Sequence, residues 1–79
     1  MQVKIGQRYA TKEAGNFFAN EVMTVLKVEN GKGESVKGTN DADGFVYWRS
    51  SKKMHNRINQ SGRVWWFKDH CVLISSPNN

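Results

Sequence analysis

Apolar and β-branched residues crowd together over residues 21–29, and the run stops at Asn30-Gly31, a pair that favours the tight turn of a hairpin. Side chains alternate along a strand, so Val22, Thr24, Leu26 and Val28 share one face while Met23, Val25 and Lys27 share the other; the even-numbered face is expected to point inward. Further extended runs fall at residues 7–11, 34–38, 44–49, 63–67 and 72–74, separated by Gly-, Asn-, Asp- or Ser-rich breaks. Many short strands with frequent turns predict an all-β meander.

Two segments depart from that pattern. Residues 12–20 are interrupted by Gly15-Asn16 and read as a long loop that tucks one ring of Phe17 and Phe18 against the body of the protein. Residues 51–61 support a short helix. Ser50 or Ser51 can cap its start, Met54 and Ile58 lie four apart, and Gly62 can end it in the left-handed region, which would put Lys53 and Arg57 on one ridge.

The same alternation divides the aromatic residues. It places Val46 and Trp48, with Val64 and Trp66, on inward faces and leaves Tyr47, Trp65 and Phe67 outside beside Arg49 and Arg63. The reverse choice, with Trp65 and Phe67 inward, would expose Trp48 and Trp66 instead.

With 79 residues the chain holds one domain, expected over residues 1–74, and a polar tail over residues 75–79 that should fray. Its net charge of +5 is unevenly distributed. Residues 1–48 are balanced, with six cations against six acids, whereas residues 49–79 carry six cations against Asp69 alone. An excess so localised points to an anionic partner at one place. The single Cys71 cannot form an internal disulfide, which suits a reducing cytoplasm. Residues 1–6 lack a signal-peptide or transit pattern, and nothing later reaches the roughly 18 apolar residues of a membrane span, so a soluble protein is expected.

The strand at 7–11, the long loop, the long strand at 21–29 and the ending Trp65-Trp66-Phe67-Lys68-Asp69-His70-Cys71-Val72-Leu73-Ile74 resemble SH3-like small barrels. In such barrels a strand passes through one tight turn, often 3₁₀, into a short last strand, and residues 68–71 have the length of that turn. The resemblance covers residues 5–74 and implies a small SH3-like barrel of five to six short antiparallel strands. It implies no ligand or catalytic residue. The chain also resembles the small, compact, charged proteins of tailed bacteriophages that act on host machinery.

Several chemistries are disfavoured by the residues present. Cys71 would need a base, and the adjacent His70 would point to the opposite face of a strand, so a small core residue is the simpler reading of the thiol. Cys71, His70 and His55 are too few and wrongly spaced for structural zinc. The run Asn40-Asp41-Ala42-Asp43-Gly44 has the alternating oxygens of a calcium loop, but counted from Thr39 as the first loop position the twelfth is Ser50, which has no carboxylate; a turn with Gly44 at positive φ explains it instead. The acids before Asp69 are scattered among lysines, leaving no acid–base pair. No catalytic residue, metal or cofactor is expected.

The basic segment is different in kind. Between Arg49 and Arg63 there are five cations and no acid, bounded by Tyr47-Trp48 and by Trp65-Trp66-Phe67. Cations beside exposed rings suit single-stranded nucleic acid, because Lys and Arg neutralise phosphates while bases stack on ring faces. The expected contacts are Arg49, Lys52, Lys53, Arg57, Arg63, Lys68, Tyr47 and Trp65, in a non-catalytic protein that binds RNA or single-stranded DNA. The alternative is a module or inhibitor that sets this face on a larger host protein, since exposed Trp and Arg are also favoured interface anchors.

Overall fold

The computed structural model describes residues 2–52 and 60–77. It is mostly antiparallel sheet with one short helix, as the turn-rich alternating sequence predicts. The strands are β1 (Val3–Lys4), β2 (Arg8–Thr11), β3 (Met23–Glu29), β4 (Ser35–Val36), β5 (Gly38–Thr39), β6 (Phe45–Ser50), β7 (Gln60–Arg63) and β8 (Cys71–Ser75), with helix α1 (Val64–His70) between the last two. The larger sheet runs β7-β6-β3-β2-β8, with β4 paired to one end of β3, and β1 pairs with β5 separately. Within the described residues β7 and β8 are the two edges of that sheet and do not pair, so the closure expected of a barrel is not made.

The long strand β3 departs from strict alternation. Val25 lies opposite Trp48 and Lys27 opposite Tyr47, which leaves Leu26 as the extra residue of a β-bulge. The bulge switches the inward face within one strand. Met23 and Val25 are buried before it and Val28 after it, whereas Val22 and Leu26, expected inside, are exposed. Strict period-two reading fails here because one inserted residue reverses every later side chain.

The second departure is α1. Residues 64–67 were expected to extend a strand, with Phe67 outside; instead Val64 and Phe67 sit three apart on one helical face and are fully buried. Cys71 follows in the same core cluster, so spacings of three and four govern this stretch. The helix starts because the turn before β6 receives it: the Val64 N–H donates to Gly44 O at 2.9 Å and the Trp65 N–H to Ala42 O at 3.3 Å, satisfying two donors that a helix start leaves open. At its other end the Lys12 N–H donates to His70 O, and the Cys71 N–H closes on Phe67 O.

Phe67 is the hub of the core. Tyr9 meets it edge-on at 5.1 Å, Trp48 at 5.0 Å and Trp66 at 5.9 Å. Val46 and Trp48 are buried as the alternation of β6 predicts. The 12–20 loop behaves as expected: Phe18 packs edge-on to Trp48 and Trp66, while Phe17 is 72% exposed. Of the helix expected over 51–61, residues 53–59 lie outside the described residues, and Gln60 and Ser61 belong to β7. Strand β8 runs to Ser75, one residue into the expected tail, and Gln7 Nε2 donates to Ser76 Oγ beyond it.

The Asn40–Gly44 segment is a turn. Asp41 Oδ2 accepts the Gly31 N–H, its Oδ1 accepts the Asp43 N–H, and its carbonyl accepts the Gly44 N–H. Gly44 does not take the positive φ expected of it; among the glycines that conformation belongs to Gly6 and Gly33. Glycine is needed at position 44 for close approach, because a Cβ there would run into the Glu29 carbonyl oxygen.

Candidate functional site

Residues directly opposite in an antiparallel pair share a face, so the register lays out the solvent side of the sheet as rows. Arg63 on β7 faces Phe45 on β6, which faces Glu29 on β3. The next row is Ser61, Tyr47 and Lys27. The third is Arg49 on β6, Thr24 on β3 and Arg8 on β2. Cations therefore appear in every row, two rings stand in the middle strand, and Glu29 is the one acid.

Glu29 is already engaged. Its Oε1 accepts the Tyr47 hydroxyl at 2.9 Å, and its Oε2 lies 3.4 Å from Lys27 Nζ. The hydrogen bond to Glu29 raises the Tyr47 phenol above its ordinary pKa, so this hydroxyl stays a donor. Lys27 Nζ lies 5.3 Å from the centre of the Tyr47 ring, and the Arg63 guanidinium stacks over Phe45 at 4.4 Å while donating to Asp43 O at 2.9 Å. Arg63, itself exposed, is thus held over the ring by its bond to the Asp43 carbonyl.

Trp65 lies round the edge of β7 from these rows. At 47% exposure it borders a groove of about 320 Å³ with Phe18, Trp48, Gly62, Arg63 and Trp66. The Trp48 and Trp66 rings are parallel within 3° at 6.1 Å. Gly62 lies against the Trp48 ring, where a Cβ would make ordinary contact at 3.5 Å.

The structure thus gathers Tyr47, Arg49 and Arg63 on one sheet face, with Trp65 at its margin. It does not bring Lys52 and Lys68, the other described cations expected at the site, to that face. Lys52 Nζ donates to Ala19 O at 3.0 Å, tying the end of the 12–20 loop, and Lys68 donates to Asn40 Oδ1 across from the helix. Lys53 and Arg57 lie outside the described residues. Phe67, expected on the outer face, is in the core. Residues overlooked in the sequence are Phe45, Lys27, Thr24 and Arg8. Phe45 was legible, because it alternates with Tyr47 and Arg49; Arg8 was not, because only long-range pairing puts it in line with Arg49.

Cys71 takes no part in this face. Burial first, and the nearby Glu13 charge second, push its thiol up to about 12. A thiol-specific reagent at pH 8 is expected to leave the native protein unlabelled and to label it fully in denaturant; fast labelling of the folded form would overturn the burial. The raised value also sets a pH limit. Stability from the protonated thiol is complete below the unfolded value near 9 and is lost as pH rises toward about 12, where the native thiol ionises.

Comparison with known proteins finds nothing similar: no family model, no curated protein and no solved structure matches the chain.

Proposed function

We propose that the protein is a non-catalytic cytoplasmic binder of single-stranded nucleic acid, RNA or DNA, which it receives on the outer face of β3, β6 and β7. The observation that supports this reading best is the set of rows just described: Arg63, Lys27 and Arg49 surround the Phe45 and Tyr47 rings on one face, and its single acid is occupied by Lys27 and Tyr47. Phosphates meet the cations while bases lie against the rings, and Trp65 extends the stacking surface past the β7 edge.

Fluorescence anisotropy with labelled oligo(U) and oligo(dT) tests the proposal. With about four to six phosphate contacts, affinity should fall about 50- to 300-fold between 50 and 200 mM salt. Tyr47→Ala should remove one stacked base, about 1–3 kcal/mol of binding. No binding at low salt, or binding indifferent to salt, sinks the reading.

A second reading has its own support. The Trp65 groove places a half-exposed tryptophan beside an oriented arginine, the anchor pair of many protein interfaces. A stoichiometric protein partner that survives nuclease treatment and is lost in Trp65→Ala would favour a protein-interaction module instead.

A further inference from the structure

The third row of the sheet face contains two cations with nothing to hold. Among the described residues, neither Arg8 nor Arg49 makes a hydrogen bond, an ion pair or a ring contact, although every row nearer the β4 end is internally tied. Both are exposed, and they flank Thr24 in a continuous register, Arg8 opposite Thr24 and Thr24 opposite Arg49. Two strand spacings set their Cα atoms about 10 Å apart. At that separation two long side chains on the same face can converge over the threonine between them, and an anion there would offset their mutual repulsion.

The surroundings suit one anion of a particular kind. Arg8, Thr24 and Arg49 line a cleft of about 280 Å³ with Val22, Ser50 and Ser51, none of them acidic. The rim is fixed by backbone, since the Ser51 N–H donates to Val22 O at 2.9 Å and Ser51 Oγ accepts the Val22 N–H at 2.8 Å. That hydroxyl therefore still has its own proton to donate. Two planar guanidinium forks and two hydroxyl donors match the tetrahedral oxygens of a phosphate better than a single point charge would.

We propose that Arg8, Thr24 and Arg49 form a phosphate-binding subsite that grips one backbone phosphate of the bound strand. This rests on the nucleic-acid reading above and adds the direction of the strand's path, from the aromatic rows toward β2. It also assigns a role to Arg8, which charge counting along the chain had set among balanced residues.

Two measurements on the full chain test it and separate its failure from that of the broader reading. In the first, oligo(dT) affinity is measured for wild type, Arg8→Ala, Arg49→Ala, the double variant and Lys32→Ala, an exposed cation in the turn after β3. Each arginine variant should weaken binding about tenfold or more, as expected for a lost hydrogen bond to a charged group, while Lys32→Ala stays near wild type. The double variant should lose less than the product of the singles, because both forks hold one phosphate. Arg8→Lys should recover only part of the loss. In the second, NMR titration with inorganic phosphate follows the arginine side-chain Nε–H and the Thr24 amide signals. Shifts confined to Arg8, Thr24 and Arg49 support the subsite even if no oligonucleotide binds. Wild-type binding with Arg8→Ala unchanged overturns the subsite and leaves the nucleic-acid reading standing; phosphate shifts spread evenly over surface cations overturn it as well.

Discussion

Phe67→Ala is expected to cost about 3–5 kcal/mol of stability, because it empties a fully buried site that Tyr9, Trp48 and Trp66 all contact edge-on. A chain of 79 residues has roughly 4–12 kcal/mol in total at typical values per residue, so the variant sits close to unfolding at ambient temperature. A thermal melt followed by circular dichroism should show a midpoint lowered by about 12 °C or more. Trp65→Ala is the control. Its ring is half exposed, and the loss should stay below about 1 kcal/mol. The two aromatics are separated by one residue, so they would share a face in a strand and do not in a helix. If Trp65→Ala proves as costly as Phe67→Ala, residues 64–67 are not helical and a strand with Trp65 and Phe67 both inward takes its place.

That comparison also locates where the sequence was informative. Strands built on local alternation, such as β2 and β6, were legible because burial of one face forces a period of two. The helix α1 was not, because Val64-Trp65-Trp66-Phe67 consists of residues that favour strands, and its helical state is imposed from outside, by the Ala42 and Gly44 carbonyls that accept its first N–H groups. The bulge at Leu26 was equally hidden. A single inserted residue leaves the composition of β3 unchanged and reverses its exposed face, so Thr24, expected inside, lies outward with Arg49, while Lys27 beyond the bulge keeps its expected outward place.

The candidate site follows the same division. The division of charge along the chain singled out residues 49–63, yet it could not show that Lys52 and Lys68 would be spent on Ala19 and Asn40. Nor could it show that Arg8 would join Arg49 across two strands. Local alternation gave Tyr47, Arg49 and Arg63 outward places; only the sheet register set Lys27 opposite Tyr47 and Arg63 opposite Phe45.

Gly44→Ala is expected to be the second most damaging change, although it adds a single methyl group. The new Cβ would strike the Glu29 carbonyl oxygen, with Asp41 O and Val64 Cγ2 each 3.2 Å away. Two of these three atoms belong to backbone that is pinned: Glu29 pairs with Phe45 in the sheet, and Asp41 O accepts the Gly44 N–H. No flexible side-chain end can yield, so the strand must move, at about 1–3 kcal/mol or more. Gly15→Ala provides the comparison, since nothing lies within 4 Å of a Cβ there and its φ is not positive; it should be neutral or slightly stabilising. The effect at Gly44 reaches function through geometry alone. Gly44 O receives the first N–H of α1, and the neighbouring Asp43 carbonyl holds the Arg63 guanidinium over Phe45. Displacing this turn should therefore loosen Arg63 and the Trp65 groove together, lowering oligonucleotide affinity with no change in net charge, measured well below the melting midpoint. Unchanged affinity in a destabilised but folded Gly44→Ala protein would mean that the orientation of Arg63 is irrelevant to binding, and that charge alone acts on this face.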